Sequence, residues 1–170
     1  HDRWLLQDRV RHVPEAHRLE ALHERSVDYL SALPRSVELE TVMGRLLLCH
    51  GVGDNDLGKV WPGTARSPIE RSNELDAMIE SRRFRFLVNG HLHYRVLIDF
   101  RDLLLVNAGT LKGAYAGFSV MDFERGHVAA YGIGDDQAPV KLSEHSLLPD
   151  GGRRVWRDTA DFDGTWQPLA

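Results

Sequence analysis

The chain is poor in cysteine: Cys49 is the only one among 170 residues. That excludes an intramolecular disulfide and suits a reducing compartment, so the cytoplasm is the expected location. Long apolar runs are also missing. The longest, LLLC and LLLV, are far too short to cross a bilayer. No Lys- or Arg-rich block stands out, and the formal net charge is -4. An electrostatic footprint for nucleic acid or a membrane surface is therefore not indicated, and nucleic acid is expected only in the form of a nucleotide substrate. Internal repeats, low-complexity segments and a signal peptide are not visible. The first residue is His1 rather than methionine, which suggests a processed chain or a piece of a longer one.

What is present is ordinary for a globular protein: 42% apolar and 27% charged residues, in a length sufficient for one domain with a proper core. Residues 14–33 read as an amphipathic helix. Leu19, Leu22, Ser26, Leu30 and Leu33 recur near one face, Pro14 suits the first turn, and Pro34 ends the segment. His17 and His23 fall in this helix with no ligand spacing nearby, and read as solvated or packed helix residues.

Short strands follow. SVELET (36–41) alternates, and RLLLCH (45–50) is a continuous apolar run ending in a histidine. VMG between them suits a tight hairpin. Residues 51–66 are rich in Gly, Asp, Asn and Pro and read as a long loop. A second helix is expected from Ser67, with Pro68 in its first turn, to about residue 82. RFRFLVN (83–89), YRVLIDF (94–100), LLLVN (103–107), GFSVMDF (117–123) and HVAAYGI (127–133) then read as five strands. Continuous apolar runs imply strands buried on both faces. The stretch 135–170 is expected to be an irregular tail packing on the domain formed by 1–134. From the residues alone the fold class is α/β, mostly short strands with two main helices.

Three of the nine histidines fall at expected strand ends. His50 closes RLLLC, and His91 and His93 follow FRFLV within NGHLHYR. In an extended segment His91 and His93 would share a face, and Gly90 would allow close approach of backbone or ligand. Imidazole is the commonest neutral metal donor, and ligands gather beyond the carboxyl ends of strands in α/β proteins. The three histidines are therefore candidate metal ligands. Cys49 points away from His50 and reads as a small core residue. Asp54, Asn55 and Asp56 read first as turn formers, with ligand-supporting or substrate-side roles as the alternative, and Trp61 as a residue that helps shape a pocket. His127 and His145 read as surface residues.

Taken in order, LLLCHG, NGHLHYR and LLVNAGTL resemble the last three signature blocks of the calcineurin-like metallophosphoesterases: a buried strand ending in His-Gly, then Gly-His-x-His, then an Asn-Pro-Gly-Ser-like turn. Ala108 and Thr110 stand at the Pro and Ser positions of that turn. His1-Asp2 resembles the end of the family's Gly-Asn-His-Asp block. The resemblance covers about residues 1–133, and it is to the C-terminal half of such an enzyme. The Asp-x-His and Gly-Asp-x-x-Asp blocks would lie upstream, in a longer parent chain or a companion segment.

The resemblance implies the C-terminal part of a four-layer αββα sandwich with mixed sheets. It also implies a site with two divalent ions (Mn, Fe, Zn, Co or Ni) that hydrolyses phosphomonoesters or phosphodiesters. His50 and His91 would bind one ion and His93 would reach the other. His1 would act as leaving-group acid or stabilise the departing oxygen, with Asp2 orienting its imidazole. Without the upstream aspartates, residues 1–170 alone are expected to be nearly inactive. Two alternatives stand beside this reading: a mononuclear zinc hydrolase or lyase using the three histidines with an open water position, and a non-catalytic scaffold that binds a partner.

Overall fold

The structure, a computed structural model, describes residues 24–58, 60, 71–113, 115–134 and 138–169. The chain divides into two compact units, 1–34 and 35–170. In the first, the described helix is α1 (Glu24–Ser31), the second half of the amphipathic segment. Its first half, with Pro14, His17 and His23, lies outside the described residues.

The second unit opens on the expected hairpin, β1 (Ser36–Thr41) and β2 (Gly44–Cys49), paired antiparallel with Thr41 opposite Gly44. The Thr41 hydroxyl locks the turn by donating to the Gly44 carbonyl at 2.6 Å and accepting the Met43 N–H at 3.2 Å. The chain then crosses over through a loop and α2 (Asn73–Ser81) to β3 (Phe86–Asn89), which lies parallel to β2. β4 (Arg95–Phe100) and β5 (Leu103–Ala108) form a second hairpin, placed so that β5 is parallel to β3. β2, β3 and β5 thus run side by side in one direction, and their carboxyl ends share one edge.

The predicted start of the second helix moves. α2 opens at Asn73, after Ser72, whose hydroxyl caps the helix by accepting the Leu75 N–H at 3.1 Å. Pro68 lies outside the described residues.

β6 (Gly117–Asp122), β7 (His127–Ile133) and β8 (Pro139–Ser146) form a separate antiparallel sheet. The stretch expected to be an irregular tail therefore contains β8. It also contains β9 (Val155–Trp156) and β10 (Gln167–Pro168), which both pair with β4. The large sheet has the order β1-β2-β3-β5-β4-β10 with β9 also on β4, and it is mixed in direction. The α/β class is borne out.

In β4 and β5 the apolar runs are buried on both faces, as continuous patterning requires, whereas in β2 Leu48 is exposed. Leu47, Leu87 and Leu105 face α2, where they pack with Leu75, Ile79, Trp156 and Phe162. Their neighbours Leu46, Phe86 and Leu104 face the other way, onto Val128 and Ala130 of the second sheet and Leu147 just after it. The described layers are helix, mixed sheet and antiparallel sheet.

Two polar staples fix the tail. The Arg153 guanidinium, 6% exposed, grips the Asp99 carboxylate of β4 (Nε to Oδ2, 2.6 Å) and donates to the carbonyls of Ser146 and Leu148. Thr159 donates its N–H and hydroxyl to the Asp76 carboxylate and accepts the Ser72 N–H, tying the tail to the first turn of α2. Among the described residues, no helix is long and apolar enough to cross a membrane.

Candidate functional site

Three chain segments leave the shared edge of β2, β3 and β5: His50-Gly51 after β2, Gly90 to Tyr94 after β3, and Ala108 to Thr110 around the end of β5. This is where parallel strands present ligand sites. His91 Nδ1 lies 3.4 Å from His50 Nε2, with the rings edge to face at 5.3 Å between centroids. The main chain joins the same two segments, since the Gly90 N–H donates to the His50 carbonyl at 3.0 Å.

The local conformation differs from the one expected. β3 stops at Asn89, and His91 and His93 are not extended: their φ angles are 61° and 62°, in the left-handed region. Alternation along a strand does not relate them. A bend does, pinned by the buried Leu92 between them, whose N–H donates to the Gly90 carbonyl at 2.7 Å. Gly90 is less critical than expected. A Cβ there would meet His50 Nδ1 at 3.7 Å, an ordinary contact. His50 and His93 are exposed, and His93 lies on the wall of a separate cavity with Tyr94, Tyr115 and Trp166.

The spacing of the first two histidines fits a shared cation. Two nitrogens each about 2.0–2.1 Å from a tetrahedral ion stand about 3.3–3.4 Å apart, and the observed separation is 3.4 Å. Among the described residues, no group of three His, Cys, Asp or Glu side chains is placed to hold one ion together. A mononuclear site of three histidines therefore lacks its third donor there. His1 and Asp2 lie outside the described residues.

Two residues of the site were given no role from the sequence: Asn89, and Asn107, which opens the Asn-Pro-Gly-Ser-like turn. They are register partners on β3 and β5, and both are buried. Asn107 Nδ2 donates to Asn89 Oδ1 at 2.9 Å and also to the Gly90 carbonyl. Asn89 Nδ2 donates to the Gly51 carbonyl at 2.8 Å, and Asn107 Oδ1 accepts the Gly109 N–H at 3.2 Å. One pair of amides thus fixes the main chain beside His50, beside His91 and at the β5 turn. The signal was an Asn at the end of each of two apolar strands, FLVN and LLVN, where an all-apolar run would be expected.

The loop after His50 folds on itself. Val52 and Asn55 exchange backbone hydrogen bonds at 3.0 Å each, and Asn55 also accepts from Leu57 and Gly58. A Cβ at Gly51 would fall 2.2 Å from the Asn55 carbonyl oxygen, so only glycine lets this loop close. Asn55 is thus a turn former. The Asp54 N–H is held by Glu74 at 3.1 Å, and the Asp56 carboxylate pairs with Arg35 at 3.6 Å. Trp61 lies outside the described residues. Cys49 is buried in the core, its Sγ 3.5 Å from the Gly51 carbonyl, and burial pushes its thiol pKa up. His127 and His145 stand on β7 and β8, the first exposed and the second half-buried.

No family model matches the chain, and a search of curated proteins also finds no match. Solved structures do resemble it. Vps29 from Cryptosporidium parvum is 22% identical with a TM-score of 0.45, over 67% of this chain and 58% of that one. Zinc-complexed wild-type Vps29 from Entamoeba histolytica is 14% identical with a TM-score of 0.48, over 69% and 63%. Yfce, a phosphoesterase from E. coli, is 15% identical with a TM-score of 0.42, over 76% and 62%. The chain spans less than two thirds of the length of each of these three proteins. Likeness at this level fixes nothing about activity.

Proposed function

We propose that this chain carries the histidine half of a dinuclear metallophosphoesterase centre acting on phosphomonoesters or phosphodiesters, in a cytoplasmic protein. The observation that carries the reading is the 3.4 Å separation of His91 Nδ1 and His50 Nε2, at the carboxyl ends of adjacent parallel strands and within motifs that resemble that family's. His50 and His91 would hold one ion, and His93 would reach the other. The Asp-x-His and Gly-Asp-x-x-Asp segment completes both sites, from the parent chain or from a companion.

Divalent ions held there would supply charge neutralisation at the phosphoryl oxygens and a more acidic water as nucleophile. The chain's own groups do the rest. His50 and His91 would each offer a ring nitrogen to the ion. Asn89 and Asn107 hold the backbone on either side of that pair. His1 gives a proton to the departing alkoxide oxygen, and Asp2 favours its protonated form.

The test is hydrolysis of p-nitrophenyl phosphate and bis(p-nitrophenyl) phosphate by the intact protein with added manganese, beside a metal count. Two ions per molecule and metal-dependent turnover lost in His50→Ala are expected. One zinc per molecule would favour a mononuclear hydrolase, and absence of any metal-dependent turnover would leave a scaffold. Residues 1–170 alone are expected to be nearly inactive, because three imidazoles cannot neutralise two divalent ions without carboxylates.

A further inference from the structure

Cation binding leaves the cavity beside His93 unexplained. It has a volume of about 230 Å³, and its wall includes Tyr94, Tyr115, Trp166 and Arg95. Drug-sized ligands occupy roughly 300–1,000 Å³, so this space suits one ring system rather than a peptide. Tyr94 and Trp166 sit with ring centroids 6.0 Å apart, tilted by 38°. Tyr115, at the cavity wall, is 75% exposed. An aromatic ring left largely in water at the mouth of a cavity is a surface on which a second ring can stack.

Arg95 is the second observation. It opens β4, is 9% exposed, and has no carboxylate partner among the described residues. Its Nη1 donates to the Tyr131 carbonyl at 2.8 Å. Buried guanidinium groups are ordinarily paired, and each carries five N–H donors. The fold makes room for this one. A Cβ at Gly117 would fall 1.6 Å from Arg95 Nη1, and one at Gly109 would fall 2.4 Å from its Cγ. A wall that joins aromatic rings to a buried guanidinium, one that pairs with no carboxylate among the described residues, favours a flat, electron-rich ligand.

We propose that this cavity holds the organic half of the ester, and that this half is a planar ring with hydrogen-bond acceptors on its edge, as in a nucleotide or an aryl phosphate. The inference rests on the phosphoesterase reading for the place of the phosphate. His93 links the two regions: it lines the cavity and follows His91 by two residues, a Cα separation of at most about 7 Å. A ring stacked against Tyr115 and Trp166 thus leaves its phosphate within reach of the histidine pair.

The test compares guanosine 5′-monophosphate, phenyl phosphate and ribose 5-phosphate as substrates of the intact, manganese-loaded protein. A KM roughly tenfold or more lower for the two ring-bearing esters is expected, with that advantage lost in Tyr115→Ala and reduced in Trp166→Leu. A guanosine ester preferred over phenyl phosphate would assign the ligand to nucleotides, and equal preference to aryl esters in general. Turnover of all three with equal KM, or an advantage that survives Tyr115→Ala, would overturn the inference and leave the phosphoesterase reading intact. If no ester is turned over, that reading fails instead, and calorimetry with guanosine alone decides the cavity. Binding that Tyr115→Ala abolishes supports it, and no binding overturns it.

Discussion

Asn107 donates a hydrogen bond of 2.9 Å to Asn89 across two parallel strands, and the same two amides reach the main chain at Gly51 and Gly90. The loops carrying His50 and His91 are therefore set by the register of β3 against β5. In a dry environment such a network is strong when complete and expensive when broken.

Asn107→Leu removes the donor to both Asn89 Oδ1 and the Gly90 carbonyl. A stability loss of about 1–3 kcal/mol is expected from urea unfolding, with the denaturant slope unchanged. Divalent-cation affinity should fall about tenfold or more, since groups that orient ligands matter nearly as much as the ligands.

His50→Ala acts differently. The ring is exposed and packs no core, so the metal-free melting temperature should stay close to that of the parent. Binding of cobalt or zinc, followed by spectroscopy or calorimetry, should weaken severely. The exposed His127, replaced by Ala, is the control and should change neither quantity.

The Arg153–Asp99 pair, 6% and 2% exposed, is a structural joint between the tail and β4. Asp99→Ala leaves the buried Arg153 with only the Asp150 carboxylate, 3.9 Å away, and should destabilise by about 3–5 kcal/mol. Replacing both partners with apolar residues of similar size should destabilise far less. Chemical denaturation of the two single variants and the double variant measures the difference.

Burial raises the Cys49 thiol pKa, so the native state favours the protonated form. This contribution is present in full below the unfolded thiol's pKa, about 8.5. It is lost as pH climbs from there through the raised native value. Unfolding free energies of the parent and Cys49→Ala should therefore converge in alkaline buffer, or cross. Native Cys49 should alkylate slowly at pH 8, and rapidly in urea.

Strands with unbroken or alternating apolar runs were legible, and so was the 42–43 turn, because their patterning is local. β8 was not. Its PVKLSEHS faces alternate weakly, and five of its eight residues, Pro139 to Leu142 and Glu144, are exposed. β9 and β10 were equally hidden, since two-residue strands exist only by pairing with β4. The candidate ligands were legible as residue types at strand ends, while their conformation was set by contacts far apart in sequence. Leu92 seeking the core, and Asn107 holding the Gly90 carbonyl, bend a segment that alternation would have drawn straight. The start of α2 was misjudged because Pro68 offered a familiar opening signal, whereas Ser72 has both a helix N–H and Thr159 to satisfy.

His93 keeps a left-handed backbone that costs a residue other than glycine, asparagine or aspartate about 1–2 kcal/mol. Asparagine tolerates that conformation, so His93→Asn should make a sturdier protein with a poorer imidazole complement, visible as a higher melting temperature. Robustness and chemistry pull in opposite directions at this position, and any effort to toughen the molecule by repairing its awkward backbone would begin by disarming it.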